Sequence, residues 1–413
     1  MDFIKKWTES SLVLKILMGL VIGGILGILV PGWSIIGFPG EIFVNALKAI
    51  APILVFILVA SAISKAKSGI GSKYKTIVLI FLLTNFVAAM VAVIACNLYP
   101  VSIHLSSISS TTPPGEFGEI VYGMILGIFS NPITALSEAN YLGILFWSII
   151  IGLALRMIAT DTTKDVIDDI AEVFTEVVNI IIQFAPIGVM GLVFTSVSES
   201  GLSIFAQYGQ LMLLIVICIL VVAFIVDPFI SFLFLRRNPY PLLLICLRES
   251  AITAFFSRSS AANIPINMRL CERLGLDRDL FSISIPLGAT INTDGAAITI
   301  TVMTLVTCHM LGISVSLPFA IVLCVISTLA ACGAAGVVGG SLLLIPMACS
   351  IFGISQDISM QVVAVGFVIS VVQDSFETAL NSSSDVFFTA TTEYYYRIKN
   401  GESLNYLGEF AKK

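Results

Sequence analysis

Five side chains within twelve residues, Asp374, Glu377, Thr378, Asn381 and Asp385, could do chemistry. At ~100° per residue, Asp374, Thr378, Asn381 and Asp385 fall within about 60° of one another on a helix, and Glu377 lies just beside them. A stripe of carboxylate, hydroxyl and amide groups can hold a cation, an ammonium group or a hydroxyl donor. The flanking segments 360–372 and 386–390 are apolar enough to put the stripe at membrane depth. There an ionisable side chain is costly unless it faces a partner, an ion or water. The competing reading has the acids paired to Arg258 or protonated against neighbouring helices. It is the weaker one, because three acids outnumber the intramembrane basic groups.

Three more polar interruptions lie in the second half of the chain. Asn292-Thr-Asp-Gly295 joins poor helix formers that favour local backbone bonds, so an unwound turn there would free carbonyls beside the Asp294 carboxylate. Those are the hard oxygen ligands an alkali cation wants; the plainer reading is a kink with a hydrogen-bonded Asp. Ser257-Arg-Ser-Ser260 offers hydroxyls and N–H groups that could hold a carboxylate, with Arg258 either a counter-ion of the stripe or an arginine snorkelling to water. Gly333 to Ser341 is rich in Gly and Ala, which fits helix packing or the tip of a hinged gate.

The elements that must position these groups are set by composition. With 57% hydrophobic and 11% charged residues over 413 positions and a mean hydropathy of +1.03, the chain is a polytopic membrane protein rather than a soluble domain. Spans are expected near 12–30, 43–64, 76–99, 118–155, 173–197, 208–235, 280–311 and 358–392. The run 118–155 is too long for one span and holds Asn131-Pro132 and Glu138, so it should be broken. The first run is long for a signal peptide and lacks a small-residue cleavage site, so it reads as a retained span. Lys and Arg fall in alternate connections, at 5–6, 65–75, 156–164, 236–237, 269–278 and 397–413, which by the positive-inside rule makes both termini cytoplasmic. The segment Leu242 to Arg278 then has both ends inside, and Pro318 to Ile354 both ends outside. Each reads as a re-entrant hairpin, and paired broken segments point to a transporter binding site.

Other chemistries find little support. The eight cysteines sit in apolar surroundings without a Cys-x-x-Cys pair and read as small buried hydrophobes. Two histidines, His104 and His309, lack ligand-like company. No Gly-Lys-Ser/Thr phosphate loop is present. An intramembrane enzyme would need a close acid pair, but Asp374 and Asp385 lie about 16 Å apart along a helix. An ion channel remains a rival reading of a polar interior, and no nucleic-acid partner is expected.

Taken together, the four constellations resemble the dicarboxylate/amino acid:cation symporter family, which includes the glutamate transporters. The resemblance covers essentially the whole chain and is closest over about 245–395. It rests on Arg258-Ser-Ser-Ala, Asn292 to Gly295, the glycine-rich 331–341, and Asp374, Asn381 and Asp385. It implies an all-α polytopic fold of eight transmembrane helices plus two re-entrant helical hairpins, assembled as a homotrimer and working as an elevator. Residues 1–75 and 101–207 would form the scaffold. Residues 76–100 and 208–395, with hairpins at 242–278 and 318–354, would form the transport domain, leaving a cytoplasmic tail at 396–413. The coupling ion would be Na+, with no organic cofactor. One sodium site would use carbonyls of Gly288, Asn292 and Asn381 with the Asp385 carboxylate. A second would use carbonyls of Thr290, Ala331, Cys332 and Ala334. A third would use Thr84, Asn85, Asn292 and Asp294, Asn85 standing where a hydroxyl is common in the family. Asp374 would meet a substrate α-amino group and Ser260 and Asn381 its carboxylate, with Ser259, Thr378 and Val337 lining the pocket.

Departures from the family pattern point to the substrate. Glu377 stands where acidic-amino-acid carriers have an arginine, and Ala296 where they have a threonine after Asp-Gly. Glu377 would repel an anionic side chain but accept a hydrogen bond from a hydroxyl. The resemblance is greatest to the serine/threonine:sodium branch. It implies a non-enzymatic carrier of L-serine and L-threonine in a bacterial-type inner membrane, the alternative being a sodium- or proton-coupled carrier of acidic amino acids or C4-dicarboxylates.

Overall fold

The computed structural model describes residues 12–65, 72–103, 126–333, 339–402 and 406–412. Among these, the regular elements are helical. They are α1 (Leu12–Leu29), α2 (Phe38–Lys65), α3 (Ser72–Leu98), α4 (Pro132–Ser137), α5 (Tyr141–Ile158), α6 (Asp161–Gln183), α7 (Ala185–Ser200) and α8 (Ser203–Leu235). They continue as α9 (Tyr240–Ser257), α10 (Ser260–Arg273), α11 (Arg278–Ile291), α12 (Asp294–Met310), α13 (Leu317–Ala331), α14 (Ile345–Ser350) and α15 (Gln356–Lys399). Seven described helices are long and apolar enough to cross a membrane, or eight if the bent α6–α7 pair is one span.

Local sequence sets the boundaries. Asn131 caps α4 by accepting from the Ile133 and Thr134 N–H groups, and Asn140 caps α5 through Gly143. The described part of the 118–155 run is therefore two helices, divided where Asn131-Pro132 and Asn140 interrupt it. The span expected near 173–197 falls on a bent pair of helices. α6 and α7 meet at 54° around Phe184, because Pro186 in the first turn of α7 has no N–H to continue the ladder. Ser355 caps α15 by accepting from Ile358 N–H, and this helix of 44 residues runs unbroken for about 66 Å, twice the ~30 Å hydrocarbon thickness.

α1, α2 and α5–α7 pack mainly on one another, while α3, α8–α12 and α14 pack on α15, which also touches α1, α2 and α7, and α13 packs on α3 and α12. α9 and α10 form a hairpin that turns at Arg258, in the left-handed region at φ 51°, with Ser259 capping α10. Glu249 on the first arm accepts from Arg273 at the base of the second, 2.7 Å away. Residues 340–350 return against α13, the intervening 334–338 lying outside the described residues. α11 and α12 are one helix broken at Asn292 and Thr293. α12 is buried on every side from Asp294 to Cys308, so its broken end sits in the molecular interior.

The α1–α7 contact depends on glycines four residues apart. A Cβ at Gly19 would lie 2.1 Å from the Pro186 carbonyl oxygen, and one at Gly23 would lie 2.3 Å from that of Met190. Backbone-to-backbone approach of this kind is how membrane helices associate without a hydrophobic driving force. Gly23→Leu is therefore expected to destabilise the protein by about 1–3 kcal/mol, read as a lowered thermal midpoint in detergent, whereas Leu at solvent-open Gly32 leaves the midpoint unchanged.

Candidate substrate and cation site

The break at Asn292-Thr293 is held open from α3. Asn85 donates from Nδ2 to the Ile291 carbonyl at 2.8 Å and accepts from the Thr293 N–H at 3.0 Å, so a side-chain amide replaces the backbone bonds the helix gave up. Asn381 on α15 does the same for the other side of the break. Its Oδ1 accepts from the Gly295 N–H at 2.8 Å, which directs its NH2 end away from α12. The α12 start is also pressed onto α15, since a Cβ on Gly295 would lie 2.8 Å from the Glu377 Cα.

The residues of the three expected oxygen clusters are brought together to different degrees. Asn292 donates to Asp385 Oδ1 at 2.9 Å, to Ser384 Oγ at 2.8 Å and to the Asn381 carbonyl at 3.4 Å. A Cβ on Gly288 would lie 2.5 Å from that same Asp385 oxygen, so Gly288, Asn292, Asn381 and Asp385 converge. Cys332 closes α13 against the break, with its Sγ 3.6 Å from the Ile291 carbonyl and 3.9 Å from Asn85 Nδ2. Ala331 is the last residue of that helix, Thr290 is exposed on α11, and Ala334 lies outside the described residues. Thr84 is adjacent to Asp294, but its hydroxyl donates to the Phe81 carbonyl at 3.0 Å. Both Asp294 carboxylate oxygens are buried and accept no hydrogen bond from the described residues, as is true of Asn292 Oδ1 and Thr293 Oγ1.

Along the stripe, Asp374 and Glu377 are both buried but differ in surroundings. Arg258 from the α9–α10 tip brings Nη1 to 3.8 Å from Asp374 Oδ2, too far for a hydrogen bond, and both atoms are without one among the described residues. The arginine is thus turned inward to the stripe, not outward to water. Glu377 is a junction: its Oε2 accepts from Thr299 at 2.8 Å, from Ser341 at 3.0 Å and from Gln373. Ser259 accepts from Ala262 N–H as the α10 cap. Ser260 is half-buried at the tip and Thr378 is buried beside Glu377. Val337 lies outside the described residues.

Polar groups that local pattern did not single out fasten this site. Asn263 donates to Ser382 Oγ at 2.7 Å, Asn267 donates to the Ser382 carbonyl at 2.9 Å, and Ser250 donates to Asn267 at 2.6 Å. These bonds join both hairpin arms to α15. The i, i+4 spacing of Asn263 and Asn267 was the available signal, since it puts two amides on one face of α10.

Counting charge in this interior gives an imbalance. Asp227, Asp294, Asp374, Glu377 and Asp385 are all buried, and among the described residues Arg258 is the one buried base; a sixth buried acid, Glu393, is paired with Lys73 and Arg397. Such an excess of carboxylate demands cations or protons from elsewhere.

The sodium:dicarboxylate symporter family matches residues 12–394. The chain belongs to this family. It is 53% identical over 393 residues to the serine/threonine transporter SstT of Streptococcus agalactiae serotype III, covering 95% of this chain and 98% of that protein. It is 51% identical over 399 residues to the protein of the same name from Bifidobacterium adolescentis, covering 96% and 93%. Its identity to that of Enterococcus faecalis is 51% over 403 residues, covering 97% and 96%. This family member is a transporter and not an enzyme.

Because the Asp385 carboxylate rests on the bare Cα of Gly288, Gly288→Ala is expected to displace it and raise the sodium concentration needed for half-maximal thermal stabilisation about tenfold or more. A titration of the unfolding midpoint with NaCl against choline chloride checks this.

Proposed function

We propose that this chain carries L-serine and L-threonine into the cell, coupled to the inward sodium gradient. The observation that carries the reading is the interior charge imbalance: apart from Glu393, which pairs with Lys73 and Arg397, five buried carboxylates stand against one buried guanidinium, with both Asp294 oxygens lacking a protein partner among the described residues. Sodium ions and the substrate ammonium supply the missing positive charge. In this reading Asp385 with Gly288, Asn292 and Asn381 holds one sodium ion. Ala331 and Cys332, with Thr290 and Ala334, hold a second, and Asp294 with Thr84 and Asn292 holds a third. Asn85 acts on that third site by bracing the broken turn, since both ends of its amide are engaged.

The substrate ammonium meets Asp374, and its carboxylate meets the NH2 of Asn381 and the Ser259-Ser260 tip, with Thr378 and Val337 beside it. Glu377 sets the side-chain class. Oε2 is taken by three protein donors, which leaves Oε1 to accept from a substrate hydroxyl. A carboxylate at this position is repelled by Glu377 at low dielectric, which disfavours dicarboxylates and acidic amino acids. The names of the relatives from Streptococcus, Bifidobacterium and Enterococcus agree with this choice.

The transport cycle we propose is an elevator in a homotrimer. α1, α2 and α5–α7 are the scaffold; α3 and α8–α15 are the moving domain, with α9–α10 and the 318–354 segment as re-entrant hairpins. Both termini are cytoplasmic in a bacterial inner membrane. The second hairpin reports occupancy, because Ser341 binds the same Glu377 oxygen as Thr299 and ties that hairpin to the substrate pocket.

Purified protein in liposomes is expected to accumulate labelled serine only with an inward sodium gradient, and excess threonine is expected to compete. Equal uptake in its absence would refute sodium coupling. Glu377→Arg is expected to lose serine uptake by at least about tenfold and to admit competition by aspartate, measured with a panel of unlabelled amino acids.

A further inference from the structure

Asp227 lies in α8 within an apolar run, Ile225-Val-Asp-Pro-Phe229, with no motif around it. Its side chain is 1% exposed, and its Oδ1 accepts no hydrogen bond among the described residues. Burying a carboxylate in this way is costly without a cation. The buried base of the described interior, Arg258, is already opposite Asp374. It also lies within Coulombic reach of another acid, Asp294.

The backbone of α8 is built to present it. Residues Val222–Val226 form a π-turn, with the Asp227 N–H bonding to the Val222 carbonyl five residues back, and Pro228 follows. Such an inserted residue rotates the following helix face and is common at functional sites. The π-turn packs against α3, the helix that carries Thr84 and Asn85; the part of α8 before it, Ser203–Val221, packs against α12, the helix that begins at Asp294, and the part from Asp227 on packs against α15.

Two like charges brought together in a dry interior repel unless something positive lies between them. Beside them, Asn292 Oδ1 and Thr293 Oγ1 are buried polar atoms of the broken turn that also lack a hydrogen bond among the described residues. Asp294 is moreover the first residue of α12, where the positive end of the helix dipole opposes a cation. A second carboxylate offsets that opposition.

We propose that Asp227 is the second carboxylate of the Asp294 cation site, so that one monovalent cation is held between an acid on α8 and an acid on α12. This rests on the sodium-symport reading above. The site then has enough negative charge to bind sodium at a helix N-terminus, and occupancy would tie α8 to the broken helix and to α3.

The test is a sodium titration of full-length purified protein, following the thermal unfolding midpoint in NaCl with choline chloride holding ionic strength constant. The wild-type midpoint rises with sodium, since ligand binding to the native state stabilises it. Asp227→Asn is expected to raise the half-saturating sodium concentration about tenfold or more and to flatten the dependence on the logarithm of sodium. Asp227→Ser, smaller and uncharged, is read in the same way should the Asn variant fail to fold. A folded variant with the wild-type sodium curve would overturn the proposal while leaving sodium symport intact. A wild-type midpoint indifferent to sodium would overturn both.

Discussion

The structure depends on the cost of holding carboxylates away from water. Asp227, Asp294, Asp374, Glu377 and Asp385 occupy an interior with one buried guanidinium among the described residues. Removal from water penalises each charge heavily, and mutual repulsion adds to the penalty. A fold with such an interior is stable only with positive charge that the chain does not itself supply. The polar groups are placed on broken helices, where side-chain amides and backbone groups lie beside the carboxylates.

The broken helix α11–α12 shows how the fold meets this need. Breaking a helix at depth leaves orphan N–H and C=O groups that lipid cannot satisfy. Asn85 on α3 and Asn381 on α15 satisfy them from two sides, and burial of α12 keeps the break against protein. The hairpin α9–α10 is secured likewise, through Asn263, Asn267 and Ser382. Polar bonds therefore fix the broken helix and the hairpin, while the α1–α7 pair is held by glycine-mediated backbone contact. The two groups of helices use different kinds of cohesion.

Much of this was legible from residue types. The acidic stripe, the Asn-Thr-Asp-Gly break, the reversal at Ser-Arg-Ser-Ser and the split of the 118–155 run all follow from polar or helix-breaking residues set in apolar sequence, the strongest contrast a membrane protein offers. The bend at Phe184 was missed although Pro186 marks it, because the hydropathy of 173–197 reads as continuous. Asn263 and Asn267 were legible as polar residues but not as a clamp, since their partner Ser382 is over a hundred residues away. The Gly19, Gly23, Gly27 series carries a packing signal, yet nothing in it names α7 as the partner.

Sequence by itself determined the membrane class, most of the helical spans and where polar residues interrupt them, because each follows from local composition and periodicity. Tertiary structure decided what those ligands face. Glu377, which in sequence is one more acid of the stripe, has one oxygen occupied by Thr299, Ser341 and Gln373. Asn85, expected as a ligand, spends its amide on a broken turn, and Asp227, silent in an apolar run, lies within Coulombic reach of Asp294. The physical reason is the same in each case: electrostatic and hydrogen-bond partners are chosen by proximity across helices, and no periodicity along one helix reports its neighbour.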